Sequence, residues 1–250
     1  ARAGQLGPAR MAVTAPRLRP SPAPLARLGS GEPEKVPAVN LGGNMERINF
    51  HFDPICPWAW LSSRWVARLE ELGEVEVEWR LFSLGVVNME PDQDPAEGPF
   101  WYSGEALQML SLARRQGGNE LVARLYTELG RGIHVQGEAA ADPATIEAAL
   151  ARAGIDPGLR ESANEDRSLW EEVLADHRAA VASCQAFGVP TIILDGGKGP
   201  GAFGPVITEV PPDDEARELL VDVVRMIRRD YVFEFKRDRE GHPAQLAGSL

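Results

Sequence analysis

Strand character breaks off at Asp53-Pro54-Ile55-Cys56-Pro57 and gives way to an amphipathic helix, and this junction constrains the chain more than any other feature. Upstream, Glu46–Phe52 alternates, with Ile48, Phe50 and Phe52 on one face and His51 on the other. Downstream, Trp58, Leu61, Trp65, Ala67, Leu69 and Leu72 recur near helical spacing, and Gly73 is a good terminator. A cysteine between a strand and a helix lies beside first-turn amides that have no intrahelical partner and carry partial positive charge. A thiol there is acidified, and the thiolate is the species that attacks disulfides and electrophiles. Pro57 suits the first helical position, where a missing N–H costs nothing. Asp53 and Pro54 fix the approach of the chain. A bare Cys-Pro pair reads as a buried structural cysteine; this context favours a reactive one.

Further along, Val75-Glu76-Val77-Glu78-Trp79-Arg80-Leu81 alternates as a second strand. Residues 92–98 form a loop rich in proline and acid, and the pattern from 102 to 188 is helical. Asp142-Pro143 is an N-cap with proline at N1, opening a helix that stops at Gly154, and Asp156-Pro157 repeats the device. Residues 169–187 form a long helix closed by Gly188. Residues 190–194 are strand-like, a glycine-rich hairpin over 195–201 follows, and 202–206 make a short strand. Asp213, Asp214 and Glu215 open a last helix that Arg225, Arg228 and Arg229 close, which suits the helix dipole at both ends. The order is that of an α/β thioredoxin-like fold (βαβ–ββα) with a helical insertion between its two halves.

Gly188-Val189-Pro190-Thr191 precedes the third strand. Proline is tolerated at a strand's first residue, and an X-Pro bond in a tight turn is where cis peptides occur. In thioredoxin-like folds this loop faces the active cysteine, so Val189 and Pro190 join Cys56, Pro57, Trp58 and Ala59 as candidate site residues. The two motifs in this chain order are stronger together than either alone.

The segments Asp53-Pro54-Ile55-Cys56-Pro57-Trp58-Ala59-Trp60, Ser63-Arg64-Trp65, Gly188-Val189-Pro190-Thr191 and Phe203-Gly204-Pro205-Val206 resemble the DsbA family. With residues 125–130 and Ile133-His134-Val135-Gln136-Gly137, they are most similar to its actinobacterial branch of mycothiol-dependent nitroreductases. The resemblance spans residues 45–239. It implies a cytoplasmic oxidoreductase with no tightly bound cofactor, using mycothiol or a similar low-molecular-weight thiol as cosubstrate to reduce disulfides or nitroaromatic and other electrophilic small molecules. It adds His134 as a residue that could orient the thiol or protonate a leaving group. The chain departs from the branch at Ala59, where the best-known pattern has a second cysteine. A dithiol resolves its mixed disulfide internally. Ala59 cannot attack, so an external thiol must do so. Two other readings stay open. One is a transferase or isomerase like the glutathione-dependent kappa class, whose members usually carry serine at the nucleophile position. The other is a non-catalytic binding module.

Composition narrows the partners. The 250-residue chain carries a net charge of −11, distributed as +4 over residues 1–44 and −15 over the rest. So acidic a body argues against nucleic acid or an anionic membrane as partner. No run approaches the about 18 consecutive apolar residues of a membrane span. Two cysteines make no disulfide scaffold, and a reducing cytoplasm fits them better. The second, Cys184, reads as a structural cysteine on a helix, with a distant resolving thiol as the sharper alternative. His51 reads as structural. No metal-ligand spacing is present, and Gly196-Gly197-Lys198-Gly199 reads as a turn. Of the six tryptophans, Trp58 alone is expected to be exposed, walling the thiol. Residues 1–44 read as a disordered Pro/Ala/Arg-rich tail, 45–236 as the thioredoxin-like domain with its insertion over about 100–187, and 237–250 as a flexible tail. A homodimer is left open.

Overall fold

The computed structural model describes residues 45–90, 92–98 and 103–237; the tail expected at 1–44 lies outside these, as does all but Arg237 of the tail expected at 237–250. Its centre is a four-stranded sheet in the order β2-β1-β3-β4, formed by β1 (Glu46–Phe52), β2 (Val75–Leu81), β3 (Thr191–Ile193) and β4 (Gly201–Phe203). β1 and β2 are parallel, while β3 is antiparallel to both β1 and β4. The parallel pair needs a crossover, which α1 (Pro57–Glu71) supplies. In register, Ile48 faces Val77, Phe50 faces Trp79 and Phe52 faces Leu81. All six side chains are buried, so the alternation seen in the sequence marks the core face.

α1 packs against α8 (Asp213–Ile227), with the Trp65 indole N–H donating to the Ala216 carbonyl at 3.1 Å. Ala216, Leu220 and Val224 recur every four residues along α8 and form its buried stripe. Between β2 and β3 lie α2 (Leu84–Val87), α3 (Gly104–Gly130), α4 (Pro143–Ala153), α5 (Arg160–Glu165) and α6 (Arg167–Cys184). α3 is broken at Gly117 and Gly118, where Gly118 takes φ of 64°, and it ends in a wide π turn, Arg131–Val135. Asp142 caps α4 through Ala144 N–H and Gly154 closes it in the left-handed conformation, as the local signals predict.

Several boundaries differ from the sequence reading. Asp156-Pro157 opens only a single 3₁₀ turn, Pro157–Leu159, before α5. α6 stops at Cys184 rather than at 187, because Gln185 adopts the left-handed cap conformation (φ 54°) that the sequence assigns to Gly188. β4 ends at Phe203 rather than 206, since Gly204 turns away at φ 100° and Pro205 has no N–H to pair. β3 is followed by a tight turn, α7 (Leu194–Gly197), with Asp195 and Gly196 left-handed. Beyond α8, Tyr231, Phe233 and Phe235 stand exposed. Among the described residues no helix is long and apolar enough to cross a membrane.

Candidate active site

β1 delivers the chain to the thiol through a closed turn. The Cys56 N–H bonds the Asp53 carbonyl at 3.0 Å, and the Ile55 N–H bonds the Asp53 carboxylate at 3.1 Å. Cys56 is the N-cap of α1, with extended φ/ψ (−81°, 110°), and Pro57 follows at N1. Its Sγ accepts the Ala59 N–H at 3.4 Å, as a serine or aspartate oxygen would in the same position. The thiol donates in turn to the Val189 carbonyl oxygen at 3.5 Å. Sulfur therefore sits between a group that favours its anion, the amide, and one that favours its protonated form, the carbonyl.

The second loop closes over the first. The Val189–Pro190 peptide is cis. Thr191 Oγ1 donates to the Gly188 carbonyl at 2.8 Å, and the Gly204 N–H reaches the Pro190 carbonyl at 2.8 Å. The structure thus brings Cys56, Pro57, Trp58, Ala59, Val189 and Pro190 to the same end of the sheet. Cys56 is only 6% exposed and Ala59 is fully buried. Trp58 corrects the sequence reading: it is half-buried against the core rather than exposed.

His134 reaches this loop from the insertion. Its Nε2 lies 2.8 Å from the Pro54 carbonyl, to which it donates as the neutral tautomer, and its ring stacks on Trp60 with centroids 5.8 Å apart. Burial pushes its pKa down to about 4, the bond to Pro54 opposing, so the ring is uncharged at neutral pH. It holds the backbone two residues before the cysteine. Trp60 is wedged between that ring, the Arg64 guanidinium 4.1 Å from its centroid, and Gly130, where a Cβ would overlap the indole. Tyr126 stacks on Phe52 at 3.7 Å and joins β1 to α3.

The sequence does not reveal the part Asp53 plays. Its carboxylate is fully buried and accepts three hydrogen bonds: Ile55 N–H at Oδ1, and Leu84 N–H (2.8 Å) and Ser103 Oγ–H (3.0 Å) at Oδ2. Ser103 is the N-cap of α3 yet makes no side-chain cap bond, because its hydroxyl serves Asp53 instead. Desolvation raises the Asp53 pKa to about 6, and the three donors hold it down from going further. The only local signal was an acid just before a helix start.

A second buried polar cluster lies across the sheet. Asp176 accepts from Arg114, Arg80 and the Leu81 N–H, and His177 Nδ1 accepts from the Ser83 N–H. His51 is buried beside them, as its structural reading implied, and desolvation lowers its pKa to about 4. These residues fasten α6 to β2. Cys184 closes α6, half-buried, with its thiol on the Ala180 carbonyl, and burial raises its pKa. Neither cysteine forms a disulfide.

Comparison with known proteins gives the arrangement its kin. Residues 55–237 match the Rv2466c-like family model, described as mycothiol-dependent nitroreductase Rv2466c. The uncharacterized protein Rv2286c of Mycobacterium tuberculosis is 30% identical over 202 residues, covering 81% of this chain and 86% of that one. Among solved structures, the cytosolic disulfide reductase DsbM from Pseudomonas aeruginosa with GSH superposes with a TM-score of 0.50 at 17% identity, over 72% of this chain and 99% of that one. A 2-hydroxychromene-2-carboxylate isomerase reaches a TM-score of 0.51 at 17% identity, over 73% of this chain and 96% of that one. At these identities the structural likeness is one of fold, and both share the thioredoxin-like architecture. The chain has the thioredoxin-like fold and belongs to the Rv2466c-like family of oxidoreductases.

Proposed function

We propose that the protein is a cytoplasmic monothiol oxidoreductase that uses mycothiol, or a similar low-molecular-weight thiol, to reduce disulfides or nitroaromatic and other electrophilic small molecules. The observation that carries this reading is the N-cap position of Cys56, whose sulfur already accepts the Ala59 N–H. When the thiol ionises, that bond becomes charge-assisted and strengthens, while the contact with the Val189 carbonyl turns repulsive. Deprotonation thus releases the sulfur from the Val189 carbonyl of the second loop.

With a disulfide substrate the Cys56 thiolate attacks one sulfur, that S–S bond breaks, and the other half leaves as a thiolate. One molecule of the small thiol attacks the Cys56 sulfur of this mixed disulfide, releasing the bound half of the substrate as its thiol and leaving the small thiol on Cys56. A second molecule then resolves the remaining adduct, so two small thiols are oxidised to their disulfide for each substrate disulfide reduced. Ala59 supports the external route, because no thiol stands at the third residue beyond Cys56. In this reading Val189 and Pro190 shape the thiol site beside Pro57, Trp58 walls it, and the part of the helical insertion around 126–136 serves as a lid over the substrate. His134 acts as an orienting group, since its depressed pKa suits it poorly to proton donation at neutral pH.

The test is to incubate the protein with mycothiol disulfide and read the adduct by mass spectrometry, alongside turnover of disulfide and nitroaromatic acceptors. A single mycothiol on Cys56, and loss of both adduct and turnover in Cys56→Ser, is expected. Turnover that survives in Cys56→Ser without an adduct would instead support thiol activation of the transferase or isomerase kind.

A further inference from the structure

The segment after α8 opens with a turn and joins no sheet. Tyr231, Phe233 and Phe235 occupy alternate positions and are 67%, 92% and 87% exposed, so the segment holds three aromatic rings in solvent within five residues. Isolated exposed apolar residues need no explanation, but a contiguous aromatic row does. A second apolar patch lies at the sheet's free edge. Phe187 and Phe203 stack with centroids 4.9 Å apart and are 66% and 41% exposed, and Val181 of α6 is exposed as well. Among the described residues β4 has a strand neighbour on one side only.

We propose that a second copy of this chain covers both patches at once: the 231–235 arm of each protomer lies along the Phe187–Phe203 edge of its partner. The geometry of the arm's root supports this pairing. Arg228, at the end of α8, binds Asp195 in the β3–β4 turn at 2.8 Å and Glu46 at 3.0 Å. The arm therefore starts at the Gly201 end of β4, which pairs with Ile193, whereas Phe203 pairs with Thr191 at the opposite end. A twofold axis crossing β4 sets the Gly201 end of one copy beside the Phe203 end of the other. Each arm then begins next to the partner's exposed rings, as an isologous interface requires.

The area fits. A buried aromatic side chain removes about 150–250 Å² from water. Three rings on each of two arms therefore give about 900–1,500 Å² before the receiving surfaces are counted, while a stable interface buries about 1,200–2,000 Å² in total. The interface borders the thiol loop, because Phe203 lies against Gly188, one residue before Val189.

Light scattering on the full chain during size exclusion, over a range of micromolar concentrations, tests this. A dimer is expected. Phe233→Glu combined with Phe235→Glu should weaken it about thirtyfold or more, as loss of central aromatic anchors does. Phe187→Glu, on the receiving side, should act likewise. Both sites are exposed, so circular dichroism and Cys56 alkylation should match the parent and show that the fold is intact. A monomeric parent protein, whether its arm is free or covered by residues 1–44, overturns the proposal. So does a dimer that survives substitution on either side.

Discussion

The Cys56 thiol and the Val189 carbonyl oxygen, 133 residues apart in the chain, are in hydrogen-bond contact at 3.5 Å, while the same sulfur accepts the Ala59 amide at 3.4 Å. The two contacts oppose each other, one holding the proton and one welcoming its loss. Position 59, whose amide already reaches the sulfur, is therefore a place on α1 from which a second thiol could act. In Ala59→Cys the introduced thiol lies one helical turn from Cys56, within bridging distance. Mild oxidation should convert both to a disulfide, lowering the count of free thiols by two, and mixed disulfides with small thiols should become short-lived. Unchanged free thiols and a persistent adduct in the variant would show that the turn cannot close a bridge.

Gly130 is predicted to be intolerant of any side chain. A methyl group there overlaps the six-membered ring of Trp60, which is itself buried among Tyr126, His134 and Arg64. Overpacking typically costs about 1–3 kcal/mol, and this indole has nowhere to retreat, so the upper end or beyond is expected for Gly130→Ala. Urea unfolding measures it. A midpoint equal to the parent's would mean that Trp60 can move.

His134→Ala should lose about 1 kcal/mol from the bond to Pro54, with a further loss from the ring's packing on Trp60. Cys56 alkylation should change in the same variant, because the loop before the cysteine loses its brace. The parent's pH–rate profile should show no limb between pH 6 and 8 that this substitution removes, since His134 titrates near 4. Loss of such a limb would place a proton on His134 during the reaction.

Stability should fall as the solution is acidified from pH 7 toward 4.5. His51, His134 and His177 are each lowered from 6.5 to about 4, chiefly by desolvation. A lowered histidine contributes stability that is present above 6.5 and lost as pH falls through its folded value. Asp53 acts in the other direction. Raised from 3.8 to about 6, it contributes stability that is full below 3.8 and lost as pH rises through 6. Near pH 5 unfolding therefore takes up about two protons net, and stability drops by about 3 kcal/mol per pH unit. Urea midpoints across this range check the slope; a flat profile would mean that the imidazoles are hydrated in the folded state.

The sheet and the thiol turn were legible because their signals are local. Alternation at Ile48, Phe50 and Phe52 has the period of a strand, and Cys56-Pro57 spells a cap followed by N1. Asp142 and Gly154 bracket α4 for the same reason. What stayed hidden depends on contacts across the chain. Nothing around Asp53 announces that its carboxyl turns inward, because its donors Leu84 and Ser103 lie 31 and 50 residues away. Trp58 is half-covered by the core it packs against. Gln185 ends α6 in a conformation that sequence statistics reserve for glycine or asparagine, so the stop expected at Gly188 lies three residues beyond the observed one.

The three bonds to Asp53 have a consequence for how the protein comes apart. Ile55 precedes the cap of α1, Leu84 is the first residue of α2, and Ser103 caps α3, so one side chain tethers the beginnings of three helices. Segments that share a tether open as a unit rather than fray one by one. Hydrogen exchange at the amides of Ile55, Leu84 and Leu107 should therefore slow and quicken together across conditions. A change at position 53 would then loosen the thiol turn and the first turn of the helical insertion in the same event.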